Sequence, residues 1–435
     1  MKKAFYVKKV SEKRYGCIGK KLAHSFSKEI HAQLADYDYE LIELAEEELA
    51  PFLEEKNFAA INVTIPYKEA VIPYLDSLSD VAARIGAVNI VVNREGKLFG
   101  DNSDYAGLKA LIDRVGVSLV QKKVLVLGTG GASKTACIVA EDLGAVEILR
   151  VSRRKKLGSV TYEEALAEHT DAHVIINTTP VGMFPDCDAQ PLDIESFSQL
   201  EGVIDAIYNP LRTNLVLSAR ERGILAEGGL YMLVAQAVAA VEAFLGTPIP
   251  HETTERIYAR ILSSKENIVL TGMPGSGKST VGACLASDMV CRAEVLSGYE
   301  FFDTDSEIEK LCDVSIKELI ETRGEEYFRN LETKVIAEVS SQHSRIIATG
   351  GGAVLREENV RALKRNGRLF FLDADMRRLR ATQSRPLADT YAKLEKLYEQ
   401  RLETYKTTAD AVVPDMETPQ ALADAVIEKR KEPIA

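Results

Sequence analysis

Between Asn267 and Thr280 the chain reads NIVLTGMPGSGKST, a β-branched run closing on Gly272 and followed by Gly277, Lys278 and Ser279 in G-x-x-x-x-G-K-[ST] spacing. These residue types at this spacing do phosphate chemistry. Glycines let backbone N–H groups curl around phosphate oxygens, the helix that follows adds its positive end, a lysine reaches the outer phosphates and a serine hydroxyl holds magnesium. Gly275, Ser276, Gly277, Lys278, Ser279 and Thr280 are therefore nucleotide-binding candidates, Lys278 a catalytic one and Ser279 a metal ligand. A second glycine cluster lies in KVLVLGTGGASKTA, where a strand runs into Gly128, Gly130 and Gly131 and then a helix, with Ser133 at the third fingerprint position. That is a dinucleotide turn. At the end of the next strand an NAD enzyme offers a carboxylate to the ribose diol; here stand Ser152, Arg153, Arg154 and Lys155, which suit a 2′-phosphate and so NADP(H).

The elements that must position these groups alternate throughout. From Tyr15 to about Asp104, RYGCIG, YELIEL and FAAINVTI read as strands separated by helices from about Ser27 and over 46 to 56, and AVNIVV with KLFG reads as a hairpin through Asn93 to Gly96. From Lys122 to about Gly228, strand-like VEILRVS, AHVIINTT and GVIDAI recur between helical stretches, the alternation of a parallel doubly wound sheet. Two helices, 230 to 246 and TTERIYARIL, lead without a Pro/Gly/Ser-rich linker into the phosphate-loop strand, and the last helix ends in a short tail. The fold class is α/β: a substrate-binding domain (1–105), a Rossmann-like NADP domain with helices returning to it (106–262), and a P-loop kinase-type parallel α/β domain (266–435).

Composition narrows the chemistry. With 435 residues, 46% hydrophobic and 27% charged, the chain is ordinary soluble globular protein of two or three domains. A net charge of −11 disfavours nucleic acid and anionic membranes as partners, so anionic substrates need local basic clusters. Six cysteines without a C-x-x-C pair and six histidines without H-E-x-x-H suggest reduced cytosol and no structural metal. The N-terminal MKKAFYVKKVSEKRYG lacks the apolar stretch of a signal peptide, and MLVAQAVAAVEAFL is too short and too polar to span a bilayer, so a cytoplasmic location is expected. Oligomeric state is left open.

The first 262 residues resemble shikimate dehydrogenase, through HSFSKEIH (24 to 31), NVTIPYK (62 to 68), GAVN (86 to 89), DNSDYAG (101 to 107), GTGGAS, INTTPVGM (176 to 183), DAIYNPLRT (205 to 213) and GGLYMLVAQA (228 to 237). The resemblance implies reduction of 3-dehydroshikimate to shikimate, with substrate held by Ser25, Ser27, Asn62, Thr64, Asn89, Tyr208 and Gln236, catalysis by Lys68 and Asp104, and cofactor contacts at Gly128, Gly130, Gly131, Ala132, Ser152, Arg153, Arg154 and Thr178. A lysine beside a carboxylate can give a proton to a developing alkoxide and recover it; alone, with a pKa near ~10.4, it is too basic. Lys28, where the family usually has Pro, and Ser103, where it has Thr, depart from the pattern without touching these groups.

Residues 266 to 430 resemble shikimate kinase, through the phosphate loop, FFDTDSEIE (301 to 309), GEEYFRNLE (324 to 332), IIATGGGAV (346 to 354), SRPLAD (384 to 389) and RLETY (401 to 405). Read as leaving a strand on one face, Asp303 and Asp305 suit a carboxylate near hydrated Mg2+ and one touching the acceptor hydroxyl. The resemblance assigns them in that order, and assigns Arg329 and Arg401 to an acceptor carboxylate clamp, Gly351 and Gly352 to the acceptor pocket, Arg385 to a lid closing on the transferring phosphate and Arg380 to the adenine of ATP. Together these imply a bifunctional enzyme making shikimate and then shikimate 3-phosphate. A quinate-type dehydrogenase fused to a kinase, or a chain in which one half only binds ligand, stays open at this point.

Overall fold

A computed structural model describes residues 14–22, 26–287, 298–379 and 390–432. It divides into two compact units, one of Met1–Met183, Ala189–Asn209 and Ser218–Ile261, the other of Phe184–Asp188, Pro210–Leu217 and Leu262–Ala435.

The first unit holds two six-stranded sheets. In the first, β1 (Arg14–Gly19), β2 (Tyr39–Glu43), β3 (Phe58–Val63), β4 (Ser77–Leu78), β5 (Ile90–Arg94) and β6 (Lys97–Asp101) take the order β2-β1-β3-β5-β6-β4. β5 runs antiparallel to both β3 and β6, and the turn at Glu95 and Gly96, both with positive φ, makes the expected hairpin. One face of this sheet buries Leu53, Phe58, Ile61 and Val91.

The second sheet, β7 (Lys123–Leu127), β8 (Glu147–Ser152), β9 (Ser159–Thr161), β10 (Val174–Asn177), β11 (Gly202–Asp205) and β12 (Leu225–Glu227), is parallel in the order β12-β11-β10-β7-β8-β9. Every residue of β7 and β10 is buried, as strands covered by helices on both faces must be. The strand order reverses between β7 and β10, and the crevice beyond their carboxyl ends is where such sheets take ligands. Short β4, β9 and β12 are additions to the sequence reading.

The second unit contains a five-stranded parallel sheet of β13 (Asn267–Thr271), β14 (Glu300–Asp303), β15 (Arg345–Ala348), β16 (Gly367–Asp373) and β17 (Ala411–Pro414), in the order β14-β15-β13-β16-β17. Central β13 is wholly buried and delivers the phosphate loop at the sheet's carboxyl edge. Beneath it, Ile268 and Leu270 pack with Val281, Leu285 and Phe370 on one face, while Val269 joins Ile336, Ile347 and Leu363 on the other.

Candidate functional sites

In the first unit a cavity of about 560 Å³ is lined by Ser27, Asn62, Thr64, Lys68, Asn89, Asp104, Tyr208 and Gln236, with Ala132 at its edge. Residues expected at the substrate from six separate motifs thus line one space. Ser25 lies outside the described residues.

Local structure explains their aim. The helix Ser103–Val115 is capped by Asn102, whose Oδ1 accepts from Asp104 N at 3.0 Å, so Asp104 sits in the first turn where the helix dipole favours a carboxylate. Gly107 lets that helix press on Leu230–Leu245, since a Cβ there would fall 2.8 Å from Met232 O and 3.0 Å from Gln236 Cβ. Lys68 follows a turn tied by Tyr67 N to Thr64 O, and buried Tyr67 anchors its hydroxyl on Leu44 O at 2.6 Å. Lys68 Nζ then donates to Asp104 Oδ2 at 2.5 Å. Asn89 Nδ2 donates to Asp104 Oδ1 at 2.9 Å while Asn89 Oδ1 accepts from Ser103 N at 2.7 Å. The carboxylate is therefore held at both oxygens. Asn62 is oriented in turn, its Oδ1 accepting from Tyr39 Oη at 2.7 Å and its Nδ2 donating to Asn89 O at 3.2 Å. Tyr39, Asn102 and Ser103 were not picked out from sequence as positioning groups; an Asn two residues before a first-turn acid is a capping signal that could have found one of them.

The cofactor candidates gather at the switch between β7 and β10. Gly128 has φ +111°, and a Cβ on it would meet Thr178 Oγ1 at 2.8 Å; Gly130 and Gly131 face open space. Ser133 Oγ donates to Gly128 O at 2.8 Å, pinning the turn. A bare glycine cradle at the N-terminus of the helix Gly131–Asp142 fits a pyrophosphate. Lys134 of that helix pairs with Glu69 at 2.7 Å, beside Lys68. At the end of β8, Ser152 is buried and hydrogen-bonded to Arg154 O and Ser159 Oγ, so it shapes the turn, whereas Arg153 and Arg154 are exposed. Lys155 pairs with Glu164 at 2.6 Å. Lys156, not singled out from sequence, places Nζ 2.9 Å from Thr129 Oγ1, over the glycine turn.

In the second unit Gly272, Gly275 and Gly277 all have positive φ, the backbone a phosphate nest requires. Lys278 is buried and donates to Gly272 O and Met273 O, both at 2.9 Å. The buried Ser276 Oγ has no hydrogen-bond partner among the described residues, an orphan suited to a phosphate oxygen. Ser279 Oγ donates to Asp303 Oδ2 at 2.5 Å, so the two expected metal ligands adjoin. Their oxygens are hard donors, as magnesium prefers. Thr280 is exposed at the helix start. Arg380 and Arg385 lie outside the described residues.

One local expectation is corrected. Asp303 and Asp305 do not share a strand face: β14 stops at Asp303, whose Oδ1 accepts from Asp305 N and Ser306 N and caps the helix Thr304–Cys312. Asp305 belongs to that helix's first turn, because a capping Asp ends the strand's alternation. Its Oδ1 is buried without a hydrogen-bond partner among the described residues. Burial, with Glu332 and Asp303 close by, raises its pKa to about 6.

Around Asp305 the glycine turn after β15 leaves no spare volume. A Cβ on Gly350 would lie 2.5 Å from Glu332 Oε1 and 2.7 Å from Asp305 Oδ1; on Gly351, 2.8 Å from Pro274 of the phosphate loop; on Gly352, 2.5 Å from Arg329 Nη1. Arg329 bonds Glu332 at 2.8 Å and Glu325 at 3.2 Å. Arg401 Nη1 donates to Gly351 O at 3.0 Å, as does the Tyr405 hydroxyl, whose ring stacks on Phe371. Glu332 and Tyr405 were missed from sequence. The i,i+3 and i,i+4 offsets from Arg329 and Arg401 were their only signal.

A family model described as "Shikimate kinase" matches residues 274–431, and one described as "Shikimate dehydrogenase substrate binding domain" matches residues 17–91. The shikimate dehydrogenase (NADP(+)) of Clostridium beijerinckii is 35% identical over 262 residues, 56% of this chain and 96% of that protein. That of Caldicellulosiruptor bescii is 37% identical over 254 residues, 52% of this chain and 88% of that protein. Among solved structures, a chorismate mutase/shikimate 5-dehydrogenase fusion protein from Clostridium acetobutylicum is 32% identical, with TM-score 0.55 over 58% of this chain and 98% of that one. The Thermus thermophilus shikimate 5-dehydrogenase in complex with NADP(H) and shikimate is 30% identical, with TM-score 0.52 over 57% of this chain and 98% of that one.

Proposed function

The chain belongs to the shikimate dehydrogenase family and carries a shikimate kinase domain behind that region, and from this we infer a bifunctional enzyme that reduces 3-dehydroshikimate with NADPH and phosphorylates the resulting shikimate with MgATP. The observation that carries the reading is a lysine–carboxylate pair beside a dinucleotide turn, in the same chain as a phosphate loop with its own buried acid.

For the first reaction, NADPH when bound supplies the hydride. Lys68 gives a proton to the carbonyl oxygen as charge develops there, and Asp104, fixed by Asn89 and its helix, holds and orients the amine. Asn62, Thr64, Asn89 and Gln236 offer hydrogen bonds to ring hydroxyls, and Tyr208 and Ser27 line the same cavity. Gly128, Gly130, Gly131 and Ala132 with Thr178 would cradle the pyrophosphate, and Arg153 and Arg154 the 2′-phosphate.

For the second, MgATP when bound supplies the phosphoryl group. Gly275 to Thr280 would wrap the phosphates, Lys278 would hold a fixed positive charge against them, and Ser279 and Asp303 would hold the cation. Asp305 takes the proton of the attacking hydroxyl; a pKa of about 6 leaves it ionised yet more basic than an ordinary aspartate at neutral pH. Arg329 and Arg401 clamp the acceptor carboxylate beside Gly351 and Gly352. Among the described residues no helix is long and apolar enough to cross a membrane, and the small soluble substrates favour the cytoplasm.

The test is a coupled assay of the purified chain with 3-dehydroshikimate, NADPH and MgATP. Shikimate 3-phosphate should accumulate after NADPH oxidation begins, and its absence despite both separate cofactors would reject the reading.

A further inference from the structure

The cavity in the first unit also contains a group that the reading above leaves without work. Besides Lys68 and Asp104, Lys21 lines it. Lys21 follows β1, in a segment pinned on both sides: Lys20 N donates to Ile65 O at 3.3 Å, and Leu22 N to Glu43 Oε1 at 2.8 Å, with the Leu22 side chain buried. The backbone that carries Lys21 is thus held at the cavity wall. Its side chain is exposed and forms no ion pair among the described residues.

Charge accounting gives this lysine a role. The titratable groups lining the cavity are Cys17, Lys21, His31, Lys68, Asp104 and Tyr208. Burial pushes the Cys17 thiol up to about 11, raises Tyr208 and lowers His31 to about 3, so these three are uncharged near neutrality. Lys68 and Asp104 cancel in a direct 2.5 Å pair. Among the described residues that line the cavity, one positive charge is left without a carboxylate partner, at Lys21. Glu43, the carboxylate on the neighbouring strand, is held by Leu22 N and lies outside the cavity lining.

An acidic protein with net charge −11 repels an anionic substrate at long range, so a local cation at the entrance matters for capture. We propose that Lys21 supplies the counter-charge for the substrate's carboxylate in the dehydrogenase cavity, selecting carboxylated cyclic ketones over neutral ones of the same shape. The proposal rests on the dehydrogenase reading above, with a cyclohexene carboxylate as substrate.

Lys21→Gln should raise KM for 3-dehydroshikimate about tenfold at low ionic strength while kcat changes less than twofold. Lys21→Arg should stay within about twofold of the native enzyme. The difference between Lys21→Gln and native enzyme should shrink as salt is added. The deciding arm is the carboxamide of 3-dehydroshikimate, for which native enzyme and Lys21→Gln should have the same KM. An unchanged KM for the acid, or an equal rise for acid and amide, would overturn the proposal. The unchanged kcat for ketone reduction, together with an unchanged KM for NADPH, confirms that the first unit of the variant folds. Failure of native enzyme to reduce the ketone would instead reject the dehydrogenase reading; calorimetric binding of shikimate and its carboxamide to native enzyme and Lys21→Gln would then decide the role of Lys21 alone.

Discussion

Lys68 and Lys278 are the same side chain set to different tasks by their partners. Lys68 donates to a carboxylate, itself braced by Asn89, in a cavity that opens to solvent; Lys278 is buried and donates to two backbone carbonyls of the loop it serves. A carboxylate partner can follow a proton's departure and return, whereas carbonyls hold an ammonium in place without exchanging anything. Under the proposed function, one lysine serves proton transfer and the other a fixed charge. The difference shows that residue type alone does not assign chemistry; the first hydrogen-bond partner does.

The hardest test of that contrast is a double dissociation. Lys278→Ala should lower phosphoryl transfer about 10³-fold, the scale for removing a preorganised electrostatic contact, and leave NADPH oxidation within twofold. Lys68→Ala should do the reverse on a similar scale, as expected for losing a general acid. Loss of both activities in one folded variant, measured on the same preparation, would mean that the two lysines are not independent.

Next in size is the acceptor clamp. Arg401→Ala and Arg329→Ala should weaken shikimate binding by about 2 to 3 kcal/mol with ATP affinity unchanged, read by titration calorimetry. Arg329→Ala should also lower thermal stability, because Glu332 would be left buried without its guanidinium. Lysine at either position should restore only part of the binding, lacking the planar fork.

A smaller effect is expected where the charges are exposed. Arg153→Ala should raise KM for NADPH about tenfold, roughly 1.4 kcal/mol, and leave that for NADH nearly unchanged, with the selectivity fading in high salt. Equal use of both nucleotides by the native enzyme at low salt would reduce Arg153 to a solvated turn residue.

An effect of the same size is expected of pH, and here the two units are alike. Burial lowers His31 to about 3 and His343 to about 4. Each imidazole is neutral when folded and protonates near 6.5 when unfolded, so its contribution is fully present above that pH and declines as pH falls toward the folded value. At pH 5.5 each unit should have lost about 1.4 kcal/mol from this source. Hydrogen exchange at pH 7.5 and 5.5 should register the loss in both units, and His31→Phe should abolish the pH dependence from this source in the first unit only.

Much of this was legible in the sequence because phosphate loops, dinucleotide turns and the eight dehydrogenase segments are local patterns. The wholly buried strands β7, β10 and β13 declared themselves as apolar runs. β4, β9 and β12, of two or three residues, carry too little alternation to register and exist because a neighbouring strand offers hydrogen bonds. Asp305 was assigned to the right segment but the wrong element, since the capping hydrogen bonds of Asp303 that end β14 are not a matter of periodicity. Glu332, Tyr405 and Lys21 escaped notice because their significance depends on what faces them from distant parts of the chain.

The turn Gly350–Gly352 bears on how freely this protein can change over generations. Its three positions are each closed by a different neighbour, the acid Asp305 with Glu332, the phosphate-loop Pro274, and the clamp Arg329. A new side chain at any one of them must displace a group to which the proposed function gives proton removal, nucleotide binding or acceptor binding, so under that reading no single substitution there is a small step. Variation is open only to paired changes, in which the neighbour shortens as the turn gains bulk. The acceptor pocket can therefore be reshaped from Arg329 or Arg401 inward, but not from its own floor.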